Sequence, residues 1–194
     1  MKRQSLRRKQ TMTTSVRDSG LTAGTWNLDP VHSSIGFSVR HMMVSKVRGK
    51  FDEFTGQITI SDEGEATVVA DINVGSINTG NDQRDAHVRS ADYFEVETHP
   101  VAAFRSTGIR AKGGAHVLTG EFTLRGVTKP IEMDLELTGV NPGTGDGPVA
   151  GFEASTVLNR KDFGITLDMP LDGGGAAVGD KITISIDAQA RLAA

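Results

Sequence analysis

The five histidines, His32, His41, His87, His99 and His116, are the first residues to weigh for chemistry. Metal binding or nucleophile activation needs partners at fixed spacing, such as HxH, HExxH or two His one helical turn apart. None of the five has such a neighbour. No GxSxG is present, so no strand-to-helix elbow presents a serine. The glycines at 173–175 do not belong to a GxxxxGK[ST] phosphate loop. The chain has no cysteine, which excludes disulfides, thiolate chemistry and Cys-based metal sites. No catalytic residue, metal ligand or cofactor is assigned on these grounds. An enzyme here would be a hydrolase type whose His and carboxylates are gathered only by the fold.

What the sequence does supply is apolar side chains at a spacing of two. In 31–41, Ile35, Phe37 and Val39 share one face, opposite Ser34, Ser38 and Arg40. In 51–60, Phe54, Ile58 and Ile60 share a face, opposite Glu53, Thr55, Gln57 and Thr59. A period of two is a strand with a dry side and a wet side. The chemistry such a surface offers is the sequestration of something apolar.

The rest of the chain repeats the design. Ala66, Val68, Ala70, Ile72 and Val74 alternate in 66–77; Leu118, Gly120, Phe122 and Leu124 in 116–125; Ile131, Met133, Leu135 and Leu137 in 128–139. A further strand falls at 149–158, and Ile182, Ile184, Ile186 and Ala188 alternate in the last one. The run 101–110 is also strand-like, but its parity is unsettled. About eight strands of roughly ten residues read as a sandwich or barrel. Eight is the number at which a closed barrel either just fills or holds one ligand.

Three segments break the period. The link 42–50 is expected to form a single helical turn ending at Gly49, with Met42, Met43, Val44 and Val47 facing inward. Residues 81–95 are expected to form a short helix, capped by Asn81 or Asp82. It is too polar for a core and should cover one end of the sheet. Residues 167–180 are irregular.

Bulk numbers narrow the classes further. With 194 residues, 37% hydrophobic and 23% charged, the chain reads as soluble and globular. The net charge of −3 gives no case for nucleic acid, which would call for a basic face. No run approaches the ~18 apolar residues of a transmembrane helix. Residues 1–24 carry no period and are expected to be a disordered basic tail before a barrel domain at 25–194. The first ten residues hold five basic side chains and no acid, so removing them from −3 leaves −8. The polar stretch that follows lacks the apolar run of an export signal, so the expected location is cytoplasmic. Translation could start at Met1 or Met12. Aromatics are few and glycines number 23, which implies a lean interior.

Five separated signatures resemble the YceI family of polyisoprenoid-binding barrels. They are WNLDPVHSSIGFSVRH at 26–41, GSINTGNDQRDAHVRSADYF at 75–94, LTGEFTLRGVTKP at 118–130, NRKDFG at 159–164 and GDKITISI at 179–186. Each is weak alone, but their order and spacing together are specific. The resemblance implies an eight-stranded antiparallel lipocalin-like barrel with an apolar tunnel. It also implies a long-chain isoprenoid ligand, polyprenyl or quinone-like, that is bound for transport or storage.

With the dry face inward, the tunnel wall would comprise Ile35, Phe37, Val39, Ile58, Val68, Ile72, Phe122, Leu124, Met133, Leu135, Ile184 and Ile186. Arg84, His87, Arg89 and Arg160 are candidates for a head group, with solvated surface or loop bracing as the alternative for each. A filled barrel acting through its surface is the other alternative. Relatives of this kind commonly pair, so a homodimer is possible, with Val69 on an outer face.

Overall fold

The computed structural model describes residues 19–143, 145, 147–169 and 177–194. The expected basic tail falls mainly on 1–18, outside the described residues, as does part of the irregular 167–180 segment.

Eleven strand segments form one antiparallel sheet. They are β1 (Gly24–Leu28), β2 (Ser34–His41), β3 (Ser45–Phe51), β4 (Phe54–Ile60), β5 (Ala66–Asn73) and β6 (Ile77–Asn78). After the helix α1 (Asp82–Arg89) come β7 (Val101–Lys112), β8 (Ala115–Leu124), β9 (Val127–Asn141), β10 (Val149–Asn159) and β11 (Val178–Leu192). The sheet closes because β1 pairs with both β4 and β11.

Eleven segments make eight staves. β1 and β2 lie end to end along β11, through Trp26↔Leu192 and Phe37↔Ile184. β4 and β3 run beside them, and β5 and β6 beside those in turn. The outcome is an eight-stranded antiparallel barrel with a short helix across one end; alternation left sandwich or barrel open, and the family resemblance implied the barrel.

The breaks between half-staves have local causes. Asp29 accepts bonds from the backbone N–H of Val31 and His32, an Asx turn that ends β1. Asn73 caps a 3-10 turn at Val74–Ser76 by accepting from Gly75 N. Ser76 Oγ in turn accepts from Glu53 N, so the breaks lie side by side in the wall. The expected strand 66–77 therefore stops at Asn73, and 31–41 begins only at Ser34.

The link 42–50 corrects the sequence reading. It is a tight turn at 42–44 followed by β3, not a helical turn. Val47 faces the interior, but Met42, Met43 and Val44 are exposed. Alternation was hidden there because the inward set of β3 is Val47, Gly49 and Phe51, with a glycine in the middle. The unsettled parity of 101–110 also has a physical cause. A register shift between Ser106 and Gly108 moves the inward set from Ala102 and Phe104 to Ile109.

The helix is shorter than 81–95, and 90–100 continues as turns. Asn81 is the cap, its side chain accepting from Arg84 N at 2.9 Å. Before residue 25, Leu21 packs on the fully buried Trp26, with Ile60, Ala150 and Ala190. This cluster closes the lower end, where β1 begins and β11 ends. The upper end carries α1, the 42–44 turn, the β8–β9 turn and residues 160–169. Val69, expected on an outer face, is exposed.

Candidate functional site

The inward faces of the staves do not meet. They enclose a cavity of about 870 Å³, within the ~300–1,000 Å³ range of ligand sites. All twelve wall residues expected from alternation line it. Ile35, Phe37 and Val39 come from β2, Ile58 from β4, and Val68 and Ile72 from β5. Phe122 and Leu124 come from β8, Met133 and Leu135 from β9, and Ile184 and Ile186 from β11.

Sequence reasoning missed further lining residues. Phe152, Ala154, Thr156 and Leu158 of β10 keep a period of two and were there to be read. Phe104 and Ile109 were obscured by the register shift in β7. Phe163 and Ile165, from the segment after β10, carry no periodic signal at all. Phe163 is 2% exposed and meets Phe122 edge-on, with ring centroids 5.6 Å apart.

Polar groups concentrate at the upper end. Thr79, Asn81, Gln83, Arg84 and His87 line the cavity there, with Tyr93 close by. Of these, Asn81, Gln83 and His87 are exposed, as is Met169 on the opposite lip. Apart from Gln57 on β4, the residues that both line the cavity and face solvent gather here and mark an opening at this end.

The helix that carries these groups is held by buried bonds. Asp85, 5% exposed, accepts from the backbone N–H of Thr79 and from its hydroxyl. Arg84 Nε donates to Thr79 Oγ1 at 2.8 Å and its Nη2 donates to Thr79 O at 2.9 Å. Among the described residues its Nη1 has no partner, so Arg84 still has donors to offer the cavity.

The other head-group candidates differ. His87 Nε2 lies 2.9 Å from Asp92 Oδ2, and its ring meets Tyr93 edge-on at 5.1 Å. Arg89 does not line the cavity; it donates to the carbonyls of Gly75 and Ile77. Arg160 lines the cavity but is 3% exposed. Its donors go to the carbonyls of Ile165, Leu167, Val178 and Gly179 and to Asp168 and Asp180. It pins the 160–169 segment to β11 and leaves no donor for a guest.

Tyr93 was not anticipated. Burial pushes its phenol above the ordinary range, and Asp92 adds to this while Arg160 opposes it. The hydroxyl is therefore a neutral donor at neutral pH. Among the described residues no group of three or more His, Cys, Asp and Glu could hold a metal ion. His32 pairs with Asp29 at 2.8 Å on the outside of the barrel, away from the cavity lining. None of the helices formed by the described residues is long and apolar enough to cross a membrane.

Comparison with known proteins agrees with this geometry. The YceI-like domain profile matches residues 26–190. A UPF0312 protein of Photorhabdus laumondii is 39% identical over 140 residues, 71% of this chain and 73% of the relative. A UPF0312 protein of Pseudomonas aeruginosa is 38% identical over the same shares. Among solved structures, BcnA of Burkholderia cenocepacia superposes with a TM-score of 0.70 at 20% identity, over 84% of this chain and 98% of that one. The YceI protein of Campylobacter jejuni gives 0.63 at 27%, over 80% and 90%. A polyisoprenoid-binding domain of Saccharophagus degradans gives 0.63 at 18%, over 87% and 98%, a likeness of fold.

Proposed function

The chain belongs to the YceI-like family, and we propose that its barrel binds a long-chain isoprenoid lipid and transports or stores it without covalent chemistry. One observation carries this reading: the bore stays open, at about 870 Å³, and its wall is apolar along the staves. A filled barrel with the same alternation would have had no room for a guest.

The energetics favour the tail. Each isoprene unit moved from water into such a wall gains roughly 4 kcal/mol gross, at ~0.8 kcal/mol per carbon. Translational and chain-ordering costs take back a large part. A polyprenyl or quinone-like amphiphile of several units still binds tightly with little help from its polar end. That end belongs at the upper opening, where Arg84 and the neutral Tyr93 hydroxyl can donate to it. A polyisoprenoid-binding domain on the same fold adds support.

The test is organic extraction of the purified protein followed by mass spectrometry. The expected result is a stoichiometric isoprenoid amphiphile. Protein that carries none, and takes up no fluorescent prenyl probe after delipidation, sinks the reading. Replacing His32, His87 and His99 together separates a carrier from a hydrolase: the carrier keeps its lipid.

A further inference from the structure

The hairpin of β2 and β3 breaks three rules of local structure at once. Its turn, His41–Val44, is closed by a bond from Val44 N to His41 O at 3.2 Å. Met42 has φ of 52° and Met43 of 60°. Positive φ at both central positions is the I′ arrangement, which strongly prefers Asn-Gly. Here two methionines occupy it. Second, the tip is apolar and in solvent, with Met43 59% and Val44 83% exposed. Third, Arg40 and Lys46 stand directly opposite each other on the outer face, with Arg48 opposite Ser38 one pair further on. Like charges across a strand pair repel.

None of these three cations has an ion pair among the described residues. Asp180, at the start of the neighbouring β11, and Asp168 before it are engaged by Arg160 and Lys161. The chain as a whole is acidic, yet 34–51 contains no Asp or Glu. Broken local rules gather where function requires them.

Position supplies the rest. The same hairpin lines the bore through Val39, His41 and Val47. Its tip bonds to the adjacent lip, Met42 N donating to Ala177 O, and Ala177 N to Met169 O. Exposed Met169 thus joins Met42 and Met43 on one rim of the opening.

We propose that this tip is a membrane-docking device for an anionic bilayer. Met42, Met43 and Val44 enter the acyl region, and Arg40, Lys46 and Arg48 lie at the headgroups, so the bore opens onto the lipid it loads or unloads. Flexible thioethers suit an irregular acyl surface. The loading step rests on the lipid-carrier reading; the docking itself does not.

The chain lacks cysteine, so Val44→Cys and, at the opposite end, Glu63→Cys can each carry one environment-sensitive dye. With phosphatidylcholine vesicles doped with phosphatidylglycerol, the Val44→Cys dye is expected to shift to the blue. A quencher on the acyl chains should quench it, while the Glu63→Cys dye does neither. Met42→Asn with Met43→Gly should raise the unfolding midpoint, because the turn is relieved, yet abolish insertion of the tip. Replacing Arg40, Lys46 and Arg48 by Ser should weaken docking roughly fivefold per charge. An unshifted Val44→Cys dye overturns the proposal, as does equal insertion into pure phosphatidylcholine. Insertion that persists in the Asn-Gly variant does the same. Lipid extraction reads the bore separately: a protein that holds lipid but inserts no tip refutes docking alone, and one that inserts but holds no lipid refutes carriage alone.

Discussion

Phe37 lies against Gly49, its cross-strand partner, so closely that a Cβ at position 49 would stand 2.6 Å from Phe37 Cζ. Phe104 lies over Gly120, one step diagonally across the β7–β8 pair, where a Cβ would collide with its ring. Both rings occupy the space that a side chain on the next strand would take. Aromatic cover of a strand glycine lets the ring lie along the wall. The bore stays open partly for this reason.

Gly49→Val should therefore push the Phe37 ring off the wall and toward the guest. Overpacking of this kind costs about 1–3 kcal/mol. Uptake of a fluorescent prenyl probe should fall, and a urea titration should show the loss of stability. Restoring uptake with Gly49→Val plus Phe37→Ala would tie the effect to the ring. If the double variant stays as poor as the single one, the glycine matters for another reason.

Arg160 is the bolt of the upper end. Its side chain is 3% exposed, and it joins the 160–169 segment to β11 through carbonyls and two aspartates. Arg160→Ala should cost about 1–3 kcal/mol, because it strips buried carbonyls such as that of Ile165 of their donor. Arg160→Lys should recover little, because an ammonium cannot span carbonyls and carboxylates in one plane as a guanidinium does. Equal stability of Arg160→Lys and wild type in urea would contradict this.

Alternation made the wall readable, and the glycines and the shifted registers set its limits. Ile184 and Ile186 could be placed inward from the sequence because nothing interrupts the period between Ile182 and Ala188, beyond the irregularity at the start of β11. Val47 was assigned inward but inside the wrong element, since Gly49 removes one beat of its strand. Ile109 was lost to the shift in β7, which a single sequence does not announce. The head-group candidates fared unevenly for a different reason. Whether an arginine is free depends on which carbonyls the fold leaves unpaired near it, as Gly75 and Ile77 are near Arg89. No local pattern encodes that.

Acid should loosen the same upper segment. The Asp168 carboxyl is held below its ordinary value of 3.8 by the Lys161 ammonium first and the Arg160 guanidinium second. A depressed carboxylate stabilises the fold above its unfolded pKa and loses that contribution as pH falls through the folded one. Stability should thus drop below about pH 3.8, and the gap between wild type and Asp168→Asn should close there. Asp29 and Asp52 are depressed too, by His32 and Lys50 respectively, and act alike in both proteins. At the other extreme, Lys161 is raised above 10.5, chiefly by Asp168, so its share vanishes only at higher pH. A wild-type-to-variant gap that stays constant from neutral to strongly acid pH would refute the assignment.

The last expectation separates the tail from the head of the guest. Ile184 lies mid-stave, opposite Phe37 on one side and Thr156 on the other. Ile184→Arg places a charge where the wall offers it no partner, and filling or charging the bore there should abolish probe uptake. Arg84 stands at the rim and adds one or two hydrogen bonds, each worth about 1 kcal/mol net. Arg84→Met should therefore weaken a prenyl probe by no more than about thirtyfold. The measurement is the affinity of one probe for both variants, with circular dichroism to show that each is folded. Should Arg84→Met destroy binding while Ile184→Arg spares it, recognition would run through the head group and the apolar bore would be secondary.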